Sequence, residues 1–168
     1  MAEIIPTINS FTGKVMPGEL RFAKKIESAL SDDCLCWYDI PVGRLRRYPD
    51  FILLHPARGL LFLEVKDWKV ENIRQIDKSR MELLTDTGIK TVPNPMEQVR
   101  QSSYAAINQL ERDLQLLQSD ERYKGKLCFP YGWGVVLSNI TRKQLNSVIP
   151  VEIQEEVLPR SWSFAAMK

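Results

Sequence analysis

The sequence predicts an α/β domain, a central mixed sheet flanked by helices, and three observations carry the prediction. Between Pro49 and Lys66 two apolar runs are joined by a turn bearing Pro56 and Gly59, the pattern of a hairpin. Both runs are apolar at nearly every position, so both faces of these strands are expected to be covered. Helical periodicity before and after the hairpin supplies elements that can cover them.

The first helix is expected from Pro17 to about Leu30. Pro17-Gly18 opens it, and Glu19, Phe22, Ala23, Ile26 and Leu30 recur at helical spacing. That spacing puts Glu19 on the apolar face, where a charge needs a reason. Trp37 to Val42 reads as a short strand and Gly43 to Arg47 as a basic turn. After the hairpin, Val70 to Val92 gives polar, alternating segments with a Thr85-Asp86-Thr87-Gly88 turn, a meander expected at the sheet edge. Asn94-Pro95 opens a long helix to about Ser119, with a buried stripe of Val99, Ser103, Ala106, Leu110, Leu114 and Leu117. Tyr131 to Leu137 reads as a further strand. Beyond Ser138 come a short helical stretch near Thr141 to Leu145, mixed signals and Pro159. The sequence closes without a terminator, so a longer polypeptide is expected.

At 168 residues, 44% hydrophobic and 26% charged, the chain has the length and composition of one globular domain. No run approaches the ~18 apolar residues of a membrane span. The opening MAEIIPTINS lacks the basic flank and apolar stretch of a signal peptide, and a cytosolic location is the expectation. Cys34 and Cys36 form C-x-C, not the C-x-x-C of a zinc ribbon. A zinc site would need these two, Cys128 and the single histidine, His55, at spacings that do not favour it, so structural thiols are expected. A P-loop of the form G-x-x-x-x-G-K-[ST] is absent from the sequence.

Net charge is +2, which permits nucleic-acid binding without demanding it. The local distribution says more. Arg44, Arg46 and Arg47 stand just before Tyr48-Pro49-Asp50, and Lys66 and Lys69 follow close behind the acidic pair. These arginines, with Lys69 and Trp68, are the candidate nucleic-acid contacts, Trp68 being placed for a stacking or wedge role. Trp133 and Tyr131 read as core, and His55 as a turn residue, not a general base.

Glu64 and Lys66 are two apart at the end of an apolar strand, so they share a face while Val65 points to the other. Asp50 begins the partner strand. A four-residue turn, Pro56 to Gly59, would pair Asp50 with Val65 and put the carboxylates on opposite faces. A shared site therefore requires an odd-length turn or a bulge. Two buried carboxylates repel unless a cation lies between them. Hard oxygen donors suit Mg²⁺ or Mn²⁺, and the Val65 carbonyl could add a ligand. Lys66 would orient or help deprotonate an attacking water and offset charge on a phosphate. Glu19 is a candidate extra carboxylate for a second ion.

Pro49-Asp50, followed 14 residues on by Glu64-Val65-Lys66, resembles the PD-(D/E)XK signature of restriction-endonuclease-like enzymes. Gly18-Glu19 opening a helix, Glu64-Val65-Lys66-Asp67-Trp68, and Asn94-Pro95 with Gln98 after it resemble the NERD (nuclease-related) domain. The resemblance implies a restriction-endonuclease-like core and a metal-dependent DNA nuclease in DNA processing or repair, RNA not being set aside. It carries metal ligation onto Asp50 and Glu64, the catalytic lysine onto Lys66, the preceding acid onto Glu19 and a substrate- or water-contacting glutamine onto Gln98. A tyrosine that follows this glutamine in some relatives is six residues on from Gln98 and three from Gln101, as Tyr104, which leaves both glutamines open. NERD domains often accompany helicases, so a helicase module on the same polypeptide is implied. The competing reading is a non-catalytic nucleic-acid-binding or docking module serving that helicase.

Overall fold

The computed structural model describes residues 2–11, 15–159 and the main chain of 163–165. In chain order the strands are β1 (Glu3–Ile5), β2 (Leu35–Tyr38), β3 (Phe51–His55), β4 (Gly59–Lys66), β5 (Ile73–Ile76), β6 (Arg80–Thr85), β7 (Gly88–Pro93), β8 (Tyr131–Leu137) and β9 (Ser163–Ala165). The helices are α1 (Pro17–Ala29), α2 (Pro95–Leu110), α3 (Arg142–Val148) and α4 (Val151–Val157). Six strands form the main sheet in the order β1-β2-β3-β4-β8-β9. The β2-β3 and β3-β4 pairs are antiparallel; β1-β2, β4-β8 and β8-β9 are parallel. The sheet is mixed and helices cover it, as the sequence predicts.

Alternation along β3, β4 and β8 builds two cores. Phe51, Leu63, Val65 and Val136 pack with Ala23 and Ile26 of α1 on one face. Ile52, Phe62, Val135 and Leu137 pack with Val99, Ala106 and Ile107 of α2 on the other. Each large side chain so buried stabilises the fold by roughly 1.5–3 kcal/mol. The hairpin is therefore the wall shared by both cores.

Its turn is three residues long. His55 pairs with Gly59 and Phe51 with Leu63. Gly59 has φ 75°, and a Cβ there would lie 1.8 Å from the Pro130 carbonyl oxygen, which accepts the Leu60 N–H at 3.0 Å. Only glycine takes this conformation at this distance from the neighbouring chain. The odd-length turn that a shared site requires is thus the one formed.

Several elements depart from expectation. The second strand runs Leu35–Tyr38 and not from Trp37 to Val42, because Asp39 turns left-handed (φ 49°) and ends it. Residues 70–92 do not extend the main sheet, whose edges are β1 and β9. Their strands form a separate antiparallel sheet, β5-β6-β7, which sends Ile73, Met81 and Leu83 into the α2-side core. The second helix starts as predicted, with the Asn94 side chain accepting the Met96 N–H at 2.8 Å and Pro95 in the first turn. It ends at Leu110, well short of Ser119. Asp113 accepts the Gln115 N–H at 3.0 Å and starts a separate 3-10 turn, leaving Leu114 82% exposed instead of buried. Thr141 caps α3, which continues three residues past the expected stretch, and α4 and β9 were not anticipated.

Gly59→Ala forces a side chain into a strained backbone and against Pro130. The substitution should cost more than about 2 kcal/mol in urea unfolding; a loss below about 0.5 kcal/mol would contradict the assigned turn.

Candidate metal centre

Extending the Phe51–Leu63 register one step, past the start of β3, sets Asp50 opposite Glu64, whose charge acts on it. Both then share the α2 face with Ile52 and Phe62. Asp50 Oδ2 accepts the Val65 N–H at 2.6 Å, which ties its carboxylate to β4. The N–H and C=O of one strand residue face the same side, so the Val65 carbonyl is turned toward this end of β3 as well.

Glu64 is 1% exposed. Its Oε1 accepts from Lys66 Nζ at 2.6 Å and from Gln98 Nε2, reaching in from α2, at 2.5 Å. Its Oε2 is, among the described residues, a buried side-chain oxygen with no hydrogen-bond partner. Leaving a carboxylate oxygen buried and bare is costly. Two acids and one ammonium leave the pocket an excess negative charge. Burial, then the charge of Glu64, pushes the Asp50 carboxyl up to about 7. Burial also raises Glu64, against the pull of Lys66. Oxygen donors, a negative excess and an orphaned oxygen fit a hard divalent cation.

Glu19 approaches from α1, on the opposite face. Its Oε2 accepts from the Tyr38 hydroxyl at 2.7 Å and from the Met16 N–H at 3.4 Å. Among the described residues it has no hydrogen bond to Asp50 or Glu64, yet its charge adds to the upward push on both. Burial, then the bond to Glu19, raises the Tyr38 hydroxyl, which stays protonated as a donor.

Sequence reasoning gave Asp67 no role. Its Oδ2 accepts the Gly18 N–H at 3.2 Å; its Oδ1 accepts from Arg21 at 2.6 Å and from the Ser138 hydroxyl at 2.7 Å. Asn139 donates to the Asp67 carbonyl at 3.1 Å and accepts from Arg21 at 2.7 Å. Gly18 has no room for a side chain, since a Cβ would lie 2.4 Å from Ser138 Oγ and 2.9 Å from Asp67. Asp67 therefore fastens the start of α1, and with it Glu19, to the strand end that carries Lys66. The signal was present in the acid next to the E-x-K and in the glycine before Glu19.

The other candidates lie around this centre. Arg44 and Arg46 are exposed, and Arg47 lines a cavity of about 540 Å³ with Gln98. Lys69 is exposed, while Trp68 is half-buried against the α2-side core with Lys66 Nζ 6.0 Å from its ring. Gln101 bonds Glu97 at 2.7 Å, so Gln98 is the glutamine that reaches the acids. Tyr104 leans on Trp133, centroids 5.3 Å apart. His55 is at the far end of the hairpin, its Nδ1 accepting the Ala57 N–H at 3.0 Å. Ligand atoms of Asp33, Cys34 and His55 lie within 4.8 Å of one another there. Cys128 is exposed and not among them, and burial pushes the Cys36 thiol up to about 12.

Two outcomes follow. Unfolded Asp50 titrates near about 3.9 and folded Asp50 near 7, so the folded chain holds the extra proton between these values. Stability of the metal-free protein then falls as pH rises through this window. Asp50→Asn keeps an acceptor for Val65 and removes the charge. Its Tm should exceed that of the unsubstituted protein at pH 8 without metal, with the gap closing toward pH 4; a pH-independent gap would count against the buried pair. Asp67→Ala should cost about 2 kcal/mol in urea unfolding by stripping bonds from α1 and the segment after β8; an unchanged midpoint would show that these contacts hold nothing.

The family model described as a nuclease-related domain, NERD, matches residues 14–130. The match takes in α1, the hairpin, the small sheet and α2, and stops just before β8. Comparisons with curated proteins and with solved structures return no match. With the matched region covering most of its length, the chain belongs to the nuclease-related domain family.

Proposed function

We propose that the chain is a divalent-metal-dependent nuclease that hydrolyses DNA phosphodiester bonds. The observation that carries the reading is the bare, buried Oε2 of Glu64 in a pocket shared with Asp50. A fold that burdens itself with two repelling acids, one oxygen of which has no partner, is arranged for a cation. Asp50 and Glu64 would hold Mg²⁺ or Mn²⁺, with the Val65 carbonyl and a water completing the shell. Such an ion supplies Lewis-acid polarisation of the phosphate and lowers the pKa of a water.

The chain's own residues do the rest. Lys66, bonded to Glu64 and 21% exposed, would orient the attacking water and offset charge on the phosphoryl oxygens. Gln98 fixes the Glu64 carboxylate from the other side, so that Oε1 is engaged and Oε2 is left for the ion. Glu19, whose carboxylate accepts from Tyr38, would hold a water or a second ion at the rim. The proposal extends to a cytoplasmic role in DNA processing or repair, beside a helicase module on the same polypeptide, which the NERD resemblance supports.

Cleavage of labelled single-stranded, duplex and branched DNA is expected with Mg²⁺ or Mn²⁺ and to cease with EDTA. Asp50→Asn, Glu64→Gln and Lys66→Met should each lower the rate by at least ~100-fold. Calorimetry should detect Mn²⁺ on the unsubstituted protein and not on Glu64→Gln. No cleavage of any substrate would sink the enzymatic reading, and salt-sensitive DNA binding that survives all three substitutions would mark the docking module instead.

A further inference from the structure

The basic turn before Asp50 is built onto α2. The Val42 and Arg47 main chains exchange hydrogen bonds of 2.7 and 3.0 Å, and Arg46 N–H donates to the Gly43 carbonyl at 3.2 Å. Gly43 (φ 69°) lies against the helix so closely that a Cβ would sit 2.8 Å from the Ala105 methyl. Arg46 is held at φ 47°, a conformation that costs a non-glycine residue about 1 kcal/mol or more and persists only where its surroundings enforce it. The turn is a fixed ridge.

Between this ridge and α2 lie two cavities that share Arg47. One, of about 540 Å³, runs from Gln98 and Gln101 past Arg47 to Lys78 and Ser79 at the β5-β6 connection. The other, of about 470 Å³, continues past Arg44 and Leu45 to Asn108 and Arg112. Gln98, Gln101, Ala105, Asn108 and Arg112 recur at i, i+3, i+7, i+10 and i+14, so one mostly polar stripe of α2 and its following turn floors both. The lining holds Arg44, Arg47, Lys78 and Arg112 against one acid, Glu97, with Lys78 also paired to the exposed Glu156 at 2.7 Å. Glu97 is already bound by Arg100 at 2.7 and 2.8 Å and by Gln101 at 2.7 Å. The inner end is the Gln98 side chain that bonds Glu64. Leu45, 79% exposed, stands at the outer end between Arg44 and Arg46.

We infer that this groove is the track for a single polynucleotide strand, whose phosphates are read by Arg44, Arg47, Lys78 and Arg112 as it leads to Asp50 and Glu64. The inference rests on the nuclease reading for the chemistry at its inner end, and on the groove alone for binding. From Gln98 to Asn108 the helix rises about 15 Å, which spans roughly four phosphates of a stacked strand at ~3.4 Å each. Arginine forks suit phosphate oxygens. The exposed Leu45 would meet a base at the entrance, as apolar wedges between bases do elsewhere.

The test is fluorescence anisotropy with a short labelled single-stranded oligonucleotide and the matching duplex, in EDTA so that nothing is cut. The proteins are the unsubstituted chain, Arg44→Ala/Arg47→Ala/Arg112→Ala, and Lys24→Ala/Lys25→Ala on the exposed side of α1, across the sheet. Arg44→Glu/Arg112→Glu, at two exposed positions, covers the case in which the triple variant misfolds. The unsubstituted chain should prefer the single strand. The triple variant should bind at least tenfold more weakly, with a log–log salt slope shallower by about 2, while the α1 variant stays within twofold. Equal losses in the groove and α1 variants, tighter binding of duplex, or no binding by the unsubstituted chain would overturn the track. Cleavage in Mg²⁺ is scored separately: a chain that cuts yet binds equally well without these arginines keeps the nuclease reading and loses the groove, and the reverse result keeps the groove alone.

Discussion

Two carboxylates set opposite each other, Asp50 partly and Glu64 fully buried, repel, and the structure holds them there through hairpin register. Asp50 meets Glu64 because β3 and β4 are joined by three residues, with Gly59 left-handed against the Pro130 carbonyl. One more residue in the turn would turn every side chain of one strand to the other face and separate the acids. The same register puts Phe51 with α1 and Ile52 with α2, so the two cores and the acidic pocket stand or fall together. The metal-free molecule bears the cost as a raised Asp50 pKa and an unpartnered Glu64 oxygen.

The surrounding elements limit that cost without removing it. Lys66 and Gln98 converge on one oxygen of Glu64 from β4 and α2. The Val65 N–H takes one oxygen of Asp50. On the other side, Asp67 draws in Gly18 and Arg21 of α1 together with the Ser138–Asn139 segment, which fixes where Glu19 emerges. Each contact engages one side of a carboxylate, and together they hold the acids and the start of α1 in place.

Much of this was legible in the sequence because its determinants are local. Alternation at Glu64-Val65-Lys66, the apolar hairpin and the Pro17 and Asn94-Pro95 helix starts depend on neighbours a few residues away. The register was not decidable, since Pro56 to Gly59 reads equally as a turn of three or of four, and the left-handed Gly59 that closes the shorter one packs on the distant Pro130. The end of α2 was missed because its apolar spacing runs on through Leu114 and Leu117, while the side chain of Asp113 competes for the backbone. The small sheet looked like a sheet edge, since alternation reports a half-buried strand and not which core it joins. Asp67 was overlooked for a similar reason: its partners are 46 to 72 residues away in the chain.

The most direct measurement is a crystal structure grown with Mn²⁺ and examined for anomalous density. The account predicts an ion contacting a carboxylate oxygen of Asp50 and the Oε2 of Glu64, with Lys66 and Gln98 remaining on Oε1. Crystals with the acids facing each other but no density between them at saturating Mn²⁺, or with Asp50 turned away from Glu64, would contradict it.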